Sequence, residues 1–154
     1  MIYLDDLRGF SREKAILFGM PHLGCEYTDK SGSYHAIQPF CAICGRPAAS
    51  CHHVVPLSWA RTVGIRVDGR VHVLRSPLFA LCGSGTTGCH NGFHGGAFLK
   101  ARWEWDDVES EKAWESGELV ELYGAHSPKL FDHGKWIIEN AATGAATERR
   151  GYGR

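Results

Sequence analysis

Apolar and polar positions alternate most clearly over residues 65–74, "IRVDGRVHVL". A period of two puts every second side chain on one face of an extended strand, and Asp68-Gly69 in the middle is a strong two-residue turn signal. The pattern predicts a β-hairpin. Residues 78–81, "LFAL", read as a buried strand and residues 135–140, "KWIIEN", as a late one. A helix is expected to begin near Gly88 in "CHNGFHGG", with Gly92, Gly95 and Gly96 limiting its length. Residues 106–123, "DDVESEKAWESGELVELY", predict an acidic helix ending near Gly117 and then a strand. Ser11 suits the N-cap of a short helix, "YTDKSGSYH" is loop by composition, and the last fourteen residues read as a frayed tail. Short strands mixed with short helices give an α+β class. No linker divides the chain, so residues 1–154 are expected to form one domain.

Composition narrows the class. At 154 residues, with 44% hydrophobic and 22% charged positions, the chain can bury a core and is not of the disordered type. No apolar run approaches the ~20 residues of a membrane span. The opening "MIYLDDLRGFSREK" is unlike a signal peptide, so a cytoplasmic protein without membrane contact is expected. Formal charge is zero, which alone argues against a nucleic-acid partner, but its distribution argues the other way. Residues 41–100 hold six bases (Arg46, Arg61, Arg66, Arg70, Arg75, Lys100) against one acid, Asp68, a net of +5; residues 101–121 hold eight acids against two bases, a net of −6. The basic block coincides with the Cys/His-rich region, which points to a phosphate-facing surface there.

Six cysteines in a cytosolic chain suggest metal before disulfides. "CAICGRP" is a Cys-x-x-Cys knuckle, with Gly45 where the backbone turns so that amides face the sulfurs. Cys82 and Cys89 supply the second half across "GSGTTG", a stretch small and flexible enough to let both sulfurs reach one ion. Cys41, Cys44, Cys82 and Cys89 are therefore expected to hold a structural Zn²⁺ in a closed tetrahedral site. A thioredoxin-like redox pair is disfavoured, because no strand–CxxC–helix pattern surrounds Cys41. Cys25 and Cys51 are left over and read as small buried hydrophobes, Cys51 being the obvious substitute ligand.

His90 and His94 are four apart, so on a helix both imidazoles emerge from one face, while Cys89 projects about 100° away. One short helix can then serve two metal sites. In "CHHVVP", His52 and His53 are adjacent; on a strand they point to opposite faces, so one can ligate while the other stays a free base. His22, His35, His72, His126 and His133 read as satisfied core or surface residues.

Taken together, "CAIC…CHHVVP…LFALC…CHNGFH" resembles the zinc-knuckle form of the HNH endonuclease family, the ββα-metal nucleases, over residues 41–96. The segment "LCGSGTTGCH" is also similar to HNH proteins of actinobacterial phages and prophages. The resemblance implies a ββα-metal core over about residues 41–100, flanked by residues 1–40 and a C-terminal extension, 101–154. It implies His52, His90 and His94 as ligands of a catalytic divalent ion and His53 as general base. One departure stands out: the family's asparagine before the strand is replaced by Pro77, and Ser76 or a backbone carbonyl is the candidate to brace the loop in its place. Asn91, which completes a literal H-N-H with His90 and His94, lies on the helix and is a decoy.

The resulting expectation is a metal-dependent DNA endonuclease leaving 5′-phosphate and 3′-hydroxyl ends, with Arg61, Arg66, Arg70 and Arg75 on the DNA backbone. Three imidazoles favour Mn²⁺, Ni²⁺, Co²⁺ or Zn²⁺ over Mg²⁺. The resemblance alone adds phage packaging proteins as partners. The rival reading is a zinc-stabilised DNA-binding module that kept the scaffold without catalysis; a purely structural or adaptor protein would leave the four histidines unexplained.

Overall fold

The computed structural model describes residues 2–8, 16–29, 31–57 and 62–151. Arg61 and the helix start expected at Ser11 lie outside the described residues. The protein is mixed α+β, with many strands and few, short helices. It groups into two compact units, Met1–Pro21, His53–Pro77 and Trp105–Gly134 forming one, His22–His52, Leu78–Glu104 and Lys135–Arg154 the other. Among the described residues no helix is long and apolar enough to cross a membrane.

In the first unit, β1 (Ile2–Leu4) pairs in parallel with β5 (Thr62–Val67), which pairs antiparallel with β6 (Arg70–Arg75). The hairpin expected from alternation is present. Its turn residues Asp68 and Gly69 have φ of 49° and 78°, the doubly positive geometry that matches the twist of the flanking strands. Val63, Ile65 and Leu74 are fully buried on one face, while Arg66, Val71 and Val73 are exposed on the other. One face of the hairpin is thus a wall of the core.

Among its described residues this unit also holds two helices, α2 (Val108–Glu115) and α3 (Glu118–Tyr123), followed by a 3₁₀ turn, Pro128–Asp132. The Asp107 carboxylate caps α2 by accepting from the Ser110 amide at 2.7 Å. The strand expected after Gly117 is instead α3. Glu121 N donates to Gly117 O at 3.0 Å and Gly124 N to Val120 O at 2.8 Å, and Leu119 and Val120 are buried. Glu118 and Glu121, three apart, already carry the helical period that six residues were too few to reveal.

In the second unit, β2 (Cys25–Tyr27) pairs with β3 (Tyr34–Ala36), β4 (Ser50–His53) with β7 (Leu78–Leu81), and β8 (Leu99–Trp105) with β9 (Gly134–Asn140), which also pairs with β10 (Ala146–Arg149). Short α1 (Gly88–Gly92) follows β7. All four residues of β7 are buried, and Phe79 meets Trp136 edge to face at 4.9 Å. Two expectations change here. Tyr27, Tyr34 and His35, at the two ends of "YTDKSGSYH", belong to strands and not to a loop. Within the tail expected to fray, Ala146–Arg149 form a strand, registered from Ala146 opposite Glu139 to Arg149 opposite Trp136.

Candidate metal centres

The knuckle Cys41–Cys44 and the pair Cys82 and Cys89 come together as predicted: their sulfurs all lie within 4.8 Å of one another. Cys44 Sγ and Cys82 Sγ are 3.5 Å apart. The edge of a tetrahedron with ~2.3 Å metal–sulfur bonds is about 3.8 Å, so the spacing fits one ion. Backbone amides face the sulfurs: Ile43 N donates to Cys41 Sγ and Cys89 N to Cys82 Sγ, each at 3.4 Å.

Burial pushes the Cys41 thiol up, but the amides of Cys44, Cys82 and Ile43 outweigh it and hold the thiol below its ordinary value. Burial first, then the charge on Cys41, pushes the Cys89 thiol far up, and burial raises Cys44 as well. Four thiolates at this spacing repel one another unless a cation sits among them. The group can hold a metal, and it binds one by releasing protons.

The "GSGTTG" stretch works through tightness and not through the flexibility expected of it. Ser84 N donates to Thr87 O at 3.1 Å and Thr87 N to Ser84 O at 3.3 Å. Gly83 sits at φ 78°, and a Cβ there would stand 2.1 Å from the Thr87 carbonyl oxygen. Only glycine closes this turn and brings Cys89 back to Cys82.

A second group is formed by His52, His90 and His94, with one ring nitrogen of each within 4.8 Å of the others. Ring centroids are 5.2 Å apart for His52–His90, 5.0 Å for His52–His94 and 4.8 Å for His90–His94. Consecutive Cys89 and His90 go to different groups, as the helical angle requires. His94 keeps its proximity to His90 although α1 ends at Gly92; a turn carries it, with His94 N donating to Asn91 O at 2.9 Å. His52 is buried, His90 half-buried and His94 exposed, so the group opens to solvent on one side. Burial, and secondarily His94, pushes the His90 pKa down, which favours the neutral form a metal needs.

Strand alternation in β4 arranges its own residues. Ser50 and His52 share one face, and the Ser50 hydroxyl lies 2.7 Å from His90 Nδ1 and 3.0 Å from the Gly83 carbonyl oxygen. Cys51 is on the other face, and there it forms a disulfide with Cys25 beside Leu78 and Ala80. This corrects the reading of Cys25 and Cys51 as free buried thiols and removes Cys51 as a substitute ligand. His53, half-buried, ends the strand on the face opposite His52. The two residues after it are held from their own unit: Val54 N donates to the Pro77 carbonyl at 3.0 Å and Val55 N to the buried Ser76 hydroxyl at 2.8 Å.

Of the predicted arginines, Arg66 pairs with Asp5 at 3.2 Å, Arg70 pairs with Glu121, and Arg75 is half-buried. The remaining histidines have partners, as expected: His22 Nδ1 accepts from Leu78 N, and His35, His72, His126 and His133 engage Glu26, Glu121, the Met20 carbonyl, and Ser110 with Tyr123. Sequence reasoning missed Ser50 and Arg149. Ser50 was readable as the residue two before His52 on a strand. Arg149, whose guanidinium meets the Ala42 and Ile43 carbonyls of the knuckle, had no local signal. Compared with protein-family models, with curated proteins and with solved structures, the chain matches none of them.

Proposed function

We propose that this chain is a metal-dependent DNA endonuclease of the HNH, ββα-metal kind. One observation carries the reading: three imidazoles converge from a strand, a short helix and the turn after it, open to solvent on one side, directly beside a four-cysteine group. A closed sulfur site suits a structural zinc, whereas an open nitrogen site suits an ion that acts on a substrate. The donor chemistry fits a divalent transition metal, because neutral imidazoles rank such ions above Mg²⁺.

His52, His90 and His94 would hold the ion, which when bound supplies Lewis-acid charge at a phosphate. His53 takes the proton from a water whose oxygen attacks phosphorus. The bond from phosphorus to the 3′ oxygen breaks, and that oxygen leaves protonated by solvent, giving 5′-phosphate and 3′-hydroxyl ends. Ser76 and the Pro77 carbonyl, by fixing Val54 and Val55, do for the base the bracing that the resemblance assigns to the asparagine Pro77 replaces. Arg61, Arg66, Arg70 and Arg75 hold the DNA backbone without choosing sequence.

The test is nicking of supercoiled plasmid with and without added divalent metal. Metal-dependent nicking is expected, with Mn²⁺, Ni²⁺, Co²⁺ or Zn²⁺ at least as effective as Mg²⁺. His53→Ala should lose ~10²–10⁴-fold in rate while keeping metal and DNA affinity. His52→Ala and His94→Ala should lose the metal as well. DNA binding without cleavage under every metal would leave the non-catalytic DNA-binding module as the reading. Nicking unchanged in all three variants would remove the histidines from the chemistry.

A further inference from the structure

The Ser50 hydroxyl stands between two groups that compete for its single proton. It lies 3.0 Å from the Gly83 carbonyl oxygen, with donor geometry, and 2.7 Å from His90 Nδ1. A carbonyl can only accept, so both contacts are hydrogen bonds at once only when the serine proton goes to Gly83 and the hydroxyl oxygen offers His90 a lone pair. His90 completes the contact by donating from Nδ1. A neutral imidazole carries one proton, so Nε2 is left bare.

We infer that Ser50 is a positioning residue: through Gly83 C=O···H–Oγ···H–Nδ1 it fixes His90 in the tautomer whose Nε2 can bind an ion. The relay also ties the two centres together. Gly83 follows the sulfur ligand Cys82, and the His90 amide donates to the Cys82 carbonyl at 3.2 Å. His90 is thereby held at main chain and side chain by the segment that carries Cys82, while Cys89, its neighbour, completes the sulfur group. Order in the cysteine centre is transmitted to one histidine of the other. The opposite hydroxyl orientation, with Ser50 donating to Nδ1, would place the proton on Nε2 and disarm that nitrogen.

The inference rests on the histidine group being a metal site, and the experiment separates the two. Protein with zinc in the cysteine centre is titrated with Co²⁺, whose spectrum on nitrogen ligands lacks the thiolate charge-transfer bands it shows on sulfur. Ser50→Ala should weaken Co²⁺ at the histidine centre 10–100-fold, the usual effect of losing a residue that orients a ligand, with the sulfur-bound zinc retained. Ser50→Thr, which keeps the hydroxyl, should stay near the wild type. Imidazole ¹⁵N spectra of the protein with the histidine centre empty should show His90 protonated at Nδ1, and a mixture of tautomers in Ser50→Ala. Wild-type Co²⁺ affinity in Ser50→Ala, or a proton found on Nε2 in the wild type, would overturn the relay. If the wild type takes up no nitrogen-bound Co²⁺, the metal reading falls, and the tautomer measurement still decides the role of Ser50.

Discussion

Arg149 donates through Nε to the carbonyl of Ala42 at 2.7 Å and through Nη2 to that of Ile43 at 3.1 Å. Both carbonyls lie between Cys41 and Cys44, so the C-terminal strand clamps the knuckle whose amides serve the sulfurs. Four thiolates around one divalent ion carry a net charge of −2, which a nearby guanidinium offsets. Arg149→Ala should weaken zinc in the cysteine centre about 10–100-fold in competition with a chelator. Arg149→Lys restores charge but not the planar fork and should fall between. Equal zinc affinity in all three proteins would make the clamp incidental.

The Cys25–Cys51 disulfide ties β2 to β4 across a separation of 26 residues. Closing a loop of this size stabilises a fold by about 3 kcal/mol, chiefly by restricting the unfolded chain. The double variant Cys25→Ala, Cys51→Ala should therefore melt well below the wild type. Alkylation of the denatured, chelated and unreduced protein should modify Cys41, Cys44, Cys82 and Cys89 only. Labelling of Cys25 or Cys51 under those conditions would show the bond absent.

Burial, and secondarily the charge of Arg75, pushes the His126 imidazole down from 6.5 to about 4, while Nδ1 donates to the Met20 carbonyl at 2.8 Å. Between those two pH values the unfolded chain holds a proton that the folded chain refuses. The contribution is therefore complete above pH ~6.5 and is lost as pH falls toward ~4, by about 3 kcal/mol in all. Denaturant midpoints measured across this range should drop steeply. His126→Asn, which tolerates the local φ of 60°, should flatten the dependence. A midpoint indifferent to pH in the wild type would show that His126 charges freely in the fold.

What was legible in the chain was what local chemistry dictates. Asp68-Gly69 fixes a hairpin because both residues accept positive φ, and the Cys and His spacings place ligands because two or four residues set their angles. Ordering that depends on distant partners left little trace. Cys51 pairs with Cys25 and not with the tetrad, a choice made by which face of β4 it occupies. The strand Ala146–Arg149 has a loop-like composition, and its order comes from β9 and from the knuckle carbonyls. The stretch Glu118–Tyr123 was ambiguous because two apolar neighbours suit either a strand or a helix.

Glu121 engages two side chains of the hairpin, pairing with Arg70 and lying 2.6 Å from His72 Nε2. If the outer hairpin meets DNA, Glu121 competes with phosphate for Arg70. Arg70 is the exposed partner of the pair, and ion pairs at a surface are worth ~0–1 kcal/mol, so exchanging this one for a phosphate costs little. Glu121→Gln should then tighten DNA binding by releasing Arg70 and removing a repelling charge. Arg70→Ala should weaken it at all sequences alike and reduce the slope of log affinity against log salt by about 1. The opposite directions matter, since simple damage to the unit would weaken binding in both variants. Binding titrations without divalent metal, repeated at several salt concentrations, read this directly. If both variants bind DNA as the wild type does, the hairpin faces elsewhere and another surface carries the phosphate contacts.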